Sequence, residues 1–249
     1  MKFSVRKRFW ILMFVIAFAI ASASLIVLPG FNVWSFDFVY ANKAAETFSD
    51  AKKLLEQYPT VSFSELPAPL KKSYHDPRYD IEKPISNARF YVIPRKDLFK
   101  KMFANNRLND FVTGEQQINR FWYFQEGQSY LCINDKIIEA LFLLQDKLKN
   151  EEFNPKALFI NSAYRSPAHN LKVKGAPMSQ HIFGKAIDLR IGDINRDQKI
   201  DQVDKQIVYK ILNANVVANK GGLGFYPGTM ILHMDVRGVR ARWDYYKRK

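Results

Sequence analysis

Two histidines of the chain lie in strand-like segments close to an aspartate, and both pairs have the residue types of a metal site. In the first segment, SQHIFGKAIDLR (179–190), His181 precedes Asp188 by seven residues and Gly184 allows a turn between them. AIDLR has the composition of a buried strand, in which the apolar neighbours of Asp188 point to the opposite side. A carboxylate inside such a strand is costly unless it is paired, hydrogen-bonded or bound to a metal.

The second segment, ILHMDVRG (231–238), places His233 and Asp235 on one face of a predicted strand and apolar residues on the other. His181, Asp188 and His233 then form a His-Asp-His set, with Asp235 beside it. Such a set suits zinc, which takes three protein ligands at catalytic sites and leaves a fourth position to water. Histidine and aspartate at this spacing also occur by chance, so the residues alone leave both interpretations open.

The elements around these residues predict a mixed fold. Asn134 can cap a helix, and the apolar residues that follow it recur at helical spacing. Residues 157–162 (ALFINS) form a predicted strand, and residues 203–219 a helix that ends before a glycine pair. Residues 223–236 form a predicted hairpin with a Pro-Gly turn. We therefore expect an α+β domain, in which a small antiparallel sheet has flanking helices.

Residues 1–30 have the pattern of a signal anchor or signal peptide. Four basic residues come first, and an uncharged apolar run continues from Phe9 to about Pro29. A run of this length can cross a bilayer as one transmembrane helix, with the basic flank in the cytoplasm. Residues 21–23 (Ala-Ser-Ala) match a signal-peptidase site. We favour an uncleaved anchor because the apolar run continues past this site, and in either case the rest of the chain is exported.

The remaining segments divide by composition into a juxtamembrane helix and linker (31–87), a small β-rich accessory region (88–130) and the domain with the candidate site (131–249). The formal charge of +14 favours an anionic partner such as nucleic acid, acidic lipid or a cell-wall polymer, or serves solubility alone. The single cysteine, Cys132, excludes an internal disulfide and is expected to be a buried structural thiol.

Four blocks between residues 162 and 243 carry a resemblance to a known family: SAYRSPAHN, SQHIFGKAIDLR, GGLGFYPG and ILHMDVRGVRARW. In this order they resemble the zinc D-alanyl-D-alanine peptidases, whose superfamily also holds lysostaphin-type endopeptidases and the hedgehog fold. The resemblance implies that residues 131–249 are a zinc peptidase domain and that His181, Asp188 and His233 bind Zn²⁺. It covers roughly a third of the chain and does not extend to residues 1–130.

The resemblance also implies roles for residues around the metal. Arg165 corresponds to the arginine that holds the substrate carbonyl or carboxylate, and a surface ion pair is the alternative. Some branches have a glutamate three residues before the last zinc histidine, where this chain has Met230. Other branches use the residue two positions after it. Asp235 is therefore interpreted as the general base, with orientation of His233 as the alternative.

The predicted substrate contacts are Ser179, Tyr164 and Tyr226, which lie within the matching blocks. Ser179 is equally suited to capping a turn. His169 is interpreted as a residue of the site's rim rather than as a ligand.

An acidic loop follows the first pair of candidate ligands. Its oxygen donors occupy positions 1, 3, 5, 7, 9 and 12 of an EF-hand-like loop: Asp193, Asn195, Asp197, Lys199 through its carbonyl, Asp201 and Asp204. The pattern resembles the calcium loops of dockerin modules and predicts a structural Ca²⁺ site. Gln198 stands at position 6, where glycine is usual, and Asp201 and Asp204 also suit the start of a helix.

These observations predict a zinc metallopeptidase, a hydrolase that remodels the bacterial cell wall. It would cut peptide bonds next to D-amino acids in peptidoglycan stem or cross-link peptides, as a DD-carboxypeptidase or an endopeptidase. Its expected place is the inner membrane, facing the periplasm or the wall. The main alternative is a non-catalytic, zinc-containing wall-binding module. Nucleic-acid binding rests on charge alone and conflicts with export, so no nucleic-acid partner is expected.

Overall fold

The computed structural model describes residues 43–75, 80–117 and 127–244, which belong to one compact unit, Val39–Lys249. The predicted anchor, residues 1–30, lies outside the described residues. Among the helices in these three ranges, none combines the length and the hydrophobicity that a membrane span requires.

The secondary structure of the described ranges alternates short helices and short strands. The α-helices are α1 (Phe48–Leu55), α2 (Ala68–Ser73), α3 (Glu82–Ile85), α4 (Leu108–Phe111), α5 (Asp135–Asn150), α6 (Pro167–Lys172) and α7 (Gln202–Ile211). The strands are β1 (Thr60–Ser62), β2 (Arg89–Pro94), β3 (Lys101–Phe103), β4 (Asn106–Arg107), β5 (Gln128–Cys132), β6 (Leu158–Ser162), β7 (Ala186–Ile191), β8 (Gly222–Phe225), β9 (Ile231–Asp235) and β10 (Ala241–Asp244).

A five-stranded sheet carries the predicted ligands. Its strand order is β10-β8-β9-β7-β6, and its neighbours run antiparallel except β10, which is parallel to β8. The predicted hairpin is confirmed as β8 and β9. On one side of the sheet, Ile187 and Leu189 of β7 and Leu232 and Met234 of β9 are fully buried, and α7 contacts both strands. The predicted mixed α+β architecture with a small antiparallel sheet is therefore confirmed.

Two predicted helices flank this sheet. Helix α5 begins where its sequence predicts: the Asn134 side chain accepts a hydrogen bond from the Lys136 amide at 3.0 Å, and the residues at helical spacing are buried. Helix α7 starts at Gln202, close to the predicted start at residue 203, and ends in a π-helical turn, Leu212–Val216. The two helices contact each other, and α7 also contacts β7 and β9 of the sheet.

The segment before residue 88 differs from the predicted linker. Helix α1 agrees with the helix predicted in this segment, but the residues after it are not an extended linker. They form α2 and β1, and β1 joins β2 and β5 in a three-stranded antiparallel sheet. Leu55, Tyr74 and Ile85 are buried and share one core with Phe90 and Leu141. The physical reason is that widely spaced apolar residues among Pro, Ser and charged residues still find a common apolar surface. The domain boundaries at 87 and 130 remain a prediction, because residues from all three ranges contribute to this core.

Candidate metal centre

The sheet register brings two of the candidate ligands together. Asp188 on β7 is paired directly with His233 on β9, and Gly224 on β8 is the partner of His233 on its other side. Because paired residues of neighbouring strands project to the same face, the carboxylate and the imidazole share the face opposite the apolar core. The alternation that the sequence predicts for both strands is confirmed.

The third candidate, His181, reaches the cluster through a tight turn. Gly184 has a φ of +64°, and a Cβ atom at this position would lie 2.5 Å from the carbonyl oxygen of Cys132. Only glycine therefore allows the chain to pass this close to β5 before it enters β7. The turn folds His181 back over the sheet, where the residue is 1% exposed.

Three donor atoms converge at the centre of this cluster. His181 Nε2 lies 3.2 Å from His233 Nδ1 and 3.2 Å from Asp188 Oδ1, and His233 Nδ1 lies 2.9 Å from the same oxygen. All three residues are buried, and within the described residues they form a group that could hold a metal ion. The structure thus brings together the three ligands that the sequence predicts.

The outer nitrogens of both imidazoles settle the tautomers. His181 Nδ1 lies 2.6 Å from the carbonyl oxygen of Ala163, which can only accept, so this nitrogen carries the proton. His233 Nε2 donates in the same way to Asp235 Oδ2 at 3.0 Å. In the neutral imidazoles the inner nitrogens then hold lone pairs that face each other and a carboxylate oxygen. Two nitrogen lone pairs and one carboxylate, all buried, are the donor set that zinc prefers, so these residues fit the ion.

The charges of the cluster follow from its burial and its contacts. Burial lowers the pKa of His181 and keeps this imidazole neutral. Burial opposes ionisation of Asp188, but the two imidazoles beside it outweigh that effect and hold its pKa well below the usual range. Burial also opposes protonation of His233, but its hydrogen bonds to Asp188 and Asp235 raise its pKa. The cluster therefore combines an ionised Asp188 carboxylate with a neutral His181 imidazole.

Arg165 lies on the outer side of the cluster. Its Nη2 contacts Asp188 Oδ2, and its Nε donates to Ser162 Oγ at 2.8 Å. One oxygen of Asp188 thus faces the imidazoles while the other faces the guanidinium. The arginine is predicted to hold the substrate, and the structure places it against the candidate ligand carboxylate, where it fixes the orientation of that group.

Asp235 lies on the opposite side of His233 from the converging atoms. Its side chain is 0% exposed. It accepts hydrogen bonds from His233 Nε2, from the amide of Gly222 at 3.0 Å, and from the backbone and guanidinium of Arg237. Burial opposes ionisation of this carboxylate, but its hydrogen bonds to His233 and Arg237 outweigh that effect and lower its pKa. The geometry favours the alternative role, orientation of His233, over proton transfer at the centre.

Two glycines of β8 create the space for this arrangement. A Cβ atom on Gly222 would lie 2.1 Å from Asp235 Oδ2, and one on Gly224 would lie 2.6 Å from Nε1 of Trp243. The ring of Trp243, on β10, has its centroid 5.1 Å from that of His233. The glycines of the GGLGFYPG block therefore admit a buried carboxylate on one side and an indole on the other. Sequence reasoning does not single out Trp243.

The residues predicted to contact substrate differ in their exposure to solvent. Ser179 lies half-buried in the turn before His181, and its carbonyl accepts from the Ile182 amide at 3.0 Å. Tyr226 lies half-buried in the turn between β8 and β9. Tyr164 is 1% exposed and its hydroxyl lies 2.5 Å from that of Tyr74. This ring belongs to the core, so its position argues against contact with substrate.

The acidic loop is closed by hydrogen bonds to its own backbone. Asp204 Oδ1 accepts the amides of Ile194 at 2.8 Å and Asn195 at 3.1 Å, and Oδ2 accepts the amide of Asp201 at 3.0 Å. Asp201 in turn caps α7 through the amide of Val203 at 2.8 Å. The alternative interpretation, a capped helix start, is therefore confirmed. Among the described residues, the metal-binding group does not include this loop, so calcium is not supported.

The other residues predicted to bind calcium also make hydrogen bonds within the loop. Asp193 Oδ2 accepts the amide of Gln198 at 3.1 Å, and Asp197 Oδ1 accepts that of Lys199 at 2.9 Å. Asn195 donates from its side chain to Asp197 Oδ2 at 3.1 Å. Gln198 has a φ of +68°, so a non-glycine residue occupies the left-handed position where glycine is usual.

His169 and Cys132 are not members of the group of converging residues. His169 Nδ1 is 3.3 Å from Glu115, a partner that lies outside the blocks of resemblance. A Cβ atom on Gly114 would lie 2.2 Å from the His169 ring, so the histidine rests directly on that glycine. Cys132 is buried, and burial raises the pKa of its thiol to about 12, as a structural thiol requires.

A sheet that presents a buried His-Asp-His cluster, framed by the four sequence blocks, defines a domain of the D-alanyl-D-alanine peptidase and hedgehog superfamily. Comparison with protein families makes the assignment specific. Residues 89–243 match the peptidase M15_2 family, described as peptidoglycan L,D-endopeptidase MepK, and the chain belongs to this family. The match begins at residue 89 and so takes in nearly all of the predicted accessory region, residues 88–130. No curated protein and no solved structure matched the chain.

Proposed function

We propose that the protein is a zinc-dependent endopeptidase that cuts cross-link peptides of peptidoglycan. Family membership supports a peptidase that acts on peptidoglycan. The observation that carries the zinc dependence is the pair of imidazoles whose outer N–H groups are satisfied and whose inner nitrogens converge with Asp188 Oδ1. Zinc held by His181, Asp188 and His233 would supply a Lewis acid with an open position for water.

The chain's own residues orient this donor set. Arg165 holds Asp188 so that a single carboxylate oxygen faces the imidazoles. The Ala163 carbonyl and Asp235 fix the two rings in the tautomers that direct a lone pair inward. Such outer partners keep ligands in place and raise their basicity. Burial of all three ligands excludes bulk water from their surroundings and strengthens these interactions.

The preferred scissile bond follows from the family. Its description names an L,D-endopeptidase, so we place the cut at a bond between an L- and a D-configured residue of a cross-link. The D-alanyl-D-alanine bond is the second candidate, because the four sequence blocks resemble peptidases of that specificity.

One observation favours the non-catalytic alternative, a zinc-containing module that binds the wall. Met230 occupies the position of the glutamate that serves as base in some branches, and its sulfur accepts from the Gln202 side chain at 3.6 Å. Asp235, the other predicted base, is buried behind His233. A module of this kind would bind peptidoglycan and zinc but release no product.

The experiment is digestion of defined muropeptides by the full chain with zinc, with products read by mass spectrometry. Separate substrates carry an L,D cross-link, a D,D cross-link or a terminal D-alanyl-D-alanine. We expect cleavage of the L,D cross-link, loss of cleavage in Asp188→Asn, and retention in His75→Ala, which changes an exposed histidine. Cleavage of only the D,D substrates would reverse the assignment of the bond. Zinc binding without any product would favour the wall-binding module.

We also propose that the chain is held at the inner membrane by residues 1–30, with the peptidase domain facing the periplasm or wall. The support is the basic flank followed by the uncharged run in the sequence. Fractionation of cells expressing the tagged full chain tests this. We expect the protein in the inner-membrane fraction and its C-terminus open to protease in spheroplasts; protection from protease would contradict the proposed orientation.

A further inference from the structure

Arg237 is bound to the carboxylate that orients His233. Its Nε lies 2.8 Å from Asp235 Oδ1 and its Nη2 lies 2.5 Å from Oδ2, a two-point contact. Its amide also donates to Oδ1 at 3.1 Å. The Arg237 side chain is 31% exposed while that of Asp235 is 0% exposed, so the guanidinium closes the buried carboxylate from solvent.

The contact constrains the orientation of the carboxylate. Oδ1 receives the Gly222 amide and Oδ2 receives His233 Nε2, while the planar guanidinium spans both oxygens. A bidentate arginine holds a carboxylate in one plane more firmly than a point charge does. Rotation of the Asp235 carboxylate away from the imidazole would break this contact as well as the bond to Gly222.

The indole of Trp243 supports the same guanidinium. The centre of the Arg237 guanidinium lies 5.2 Å from the centroid of the Trp243 ring, which is itself beside the His233 ring. Asp235 therefore contacts the side of His233 that faces away from the converging donor atoms, and Arg237 links this carboxylate to the Trp243 ring beside the imidazole. None of the roles implied by the resemblance is assigned to Arg237.

We propose that Arg237 is a positioning residue for the metal centre, which acts through Asp235 to fix the tautomer and orientation of His233. By fixing His233 in this way, Arg237 raises the affinity of the His-Asp-His cluster for a divalent cation. The inference rests on the proposed function only in that zinc is the cation. It holds whether or not the bound protein cuts peptidoglycan.

The test is the zinc affinity of the metal-free full chain, measured by competition with a chromophoric chelator. We expect Arg237→Gln to weaken binding by about 10-fold, the lower end of the range for loss of a direct partner of a metal ligand, because Arg237 acts through Asp235. Arg237→Lys keeps the charge but loses the two-point contact. Its zinc affinity should therefore lie between that of the unmodified chain and that of Arg237→Gln. Arg240→Gln removes a neighbouring exposed arginine and should bind as the unmodified chain does. Thermal unfolding of the metal-free variants shows that each is folded.

A double-mutant cycle isolates the route through Asp235. In the Asp235→Asn background, which weakens the link to His233, Arg237→Gln should cost much less affinity than it does alone. An equal loss in both backgrounds, or unchanged affinity of Arg237→Gln, would overturn the inference, as would an unmodified chain that takes up no zinc. Hydrolysis is measured separately, so a chain that binds zinc but cuts nothing contradicts the proposed function alone.

Discussion

Asp188 and His233 lie opposite each other on adjacent antiparallel strands, with Oδ1 of the first 2.9 Å from Nδ1 of the second. This pairing makes the candidate metal centre part of the sheet itself. A one-residue slip of either strand would turn its own polar side chain, Asp188 or His233, towards the apolar core. The same hydrogen-bonded ladder that stabilises the fold therefore fixes the spacing of the two ligands.

Zinc should stabilise the folded chain by mass action. Binding to the native state alone adds about 2.7 kcal/mol when free zinc is at 100 times its dissociation constant. We expect the midpoint of thermal unfolding to rise with added Zn²⁺, and the rise to be lost in Asp188→Asn. His75→Ala is the control, since this exposed histidine lies outside the cluster. An equal rise in Asp188→Asn would mean that zinc binds elsewhere.

Gly222→Ala should disturb the centre without touching a ligand. The added Cβ would lie 2.1 Å from Asp235 Oδ2, so strand β8 or the carboxylate must move. We expect a loss of about 1–3 kcal/mol in the free energy of unfolding, as for other overpacked sites, together with weaker zinc binding. Gly228→Ala is a useful comparison because a Cβ there meets nothing within 4 Å, although its φ of +72° strains any side chain. That variant should lose stability but keep its zinc affinity; equal zinc affinity in both variants would contradict the role given to Gly222.

The acidic loop should be indifferent to calcium and sensitive to Asp204. Replacing Asp204 by Ala leaves three backbone amides without their acceptor, two of them from Ile194 and Asn195. We expect the free energy of unfolding, measured with denaturant, to fall by about 1–3 kcal/mol. Asp197→Ala, at an exposed position, should cost much less. A clear rise in the unfolding midpoint on adding Ca²⁺ would contradict the assignment of this loop as a helix cap.

Lys205 should make stability depend on pH in the alkaline range. Burial lowers the pKa of its ammonium from 10.5 to about 8, while its Nζ donates to the carbonyls of Tyr226 and Thr229. Between these two pKa values the unfolded chain binds more protons than the folded one, so this group's contribution to stability rises with pH. We expect the unfolding midpoint of the unmodified chain minus that of Lys205→Met to increase from pH 8 to 10.5. A difference that is flat or falls over this range would contradict the lowered pKa.

The convergence of His181, Asp188 and His233 was predictable because the position of each residue follows from a local rule. Alternation along two strands puts Asp188 and His233 on polar faces, and Gly184 signals the turn that returns His181. The hairpin of β8 and β9 and the capped helix α5 follow from turn and cap residues in the same way. What local rules cannot supply is the pairing between distant strands, and this includes the parallel neighbour β10.

The role of Asp235 shows where sequence reasoning stops. The strand pattern places its carboxylate near His233, but it does not say which ring nitrogen the carboxylate meets. That depends on the space left by Gly222 and on the guanidinium of Arg237, which are contributed by different segments. The acidic loop is a similar case, since the same residues suit a calcium loop and a helix cap. The packing of residues before 88 was missed because their apolar positions follow no regular period.

The position of β10 has a consequence for biogenesis. Trp243 on this strand stands over the His233 ring, and β10 pairs in parallel with β8, so the last described strand completes the surroundings of a centre whose first ligand is residue 181. During synthesis, His181, Asp188 and His233 are therefore all made before the strand that completes their surroundings. If the proposed zinc site is correct, its full surroundings form only after β10 has joined the sheet.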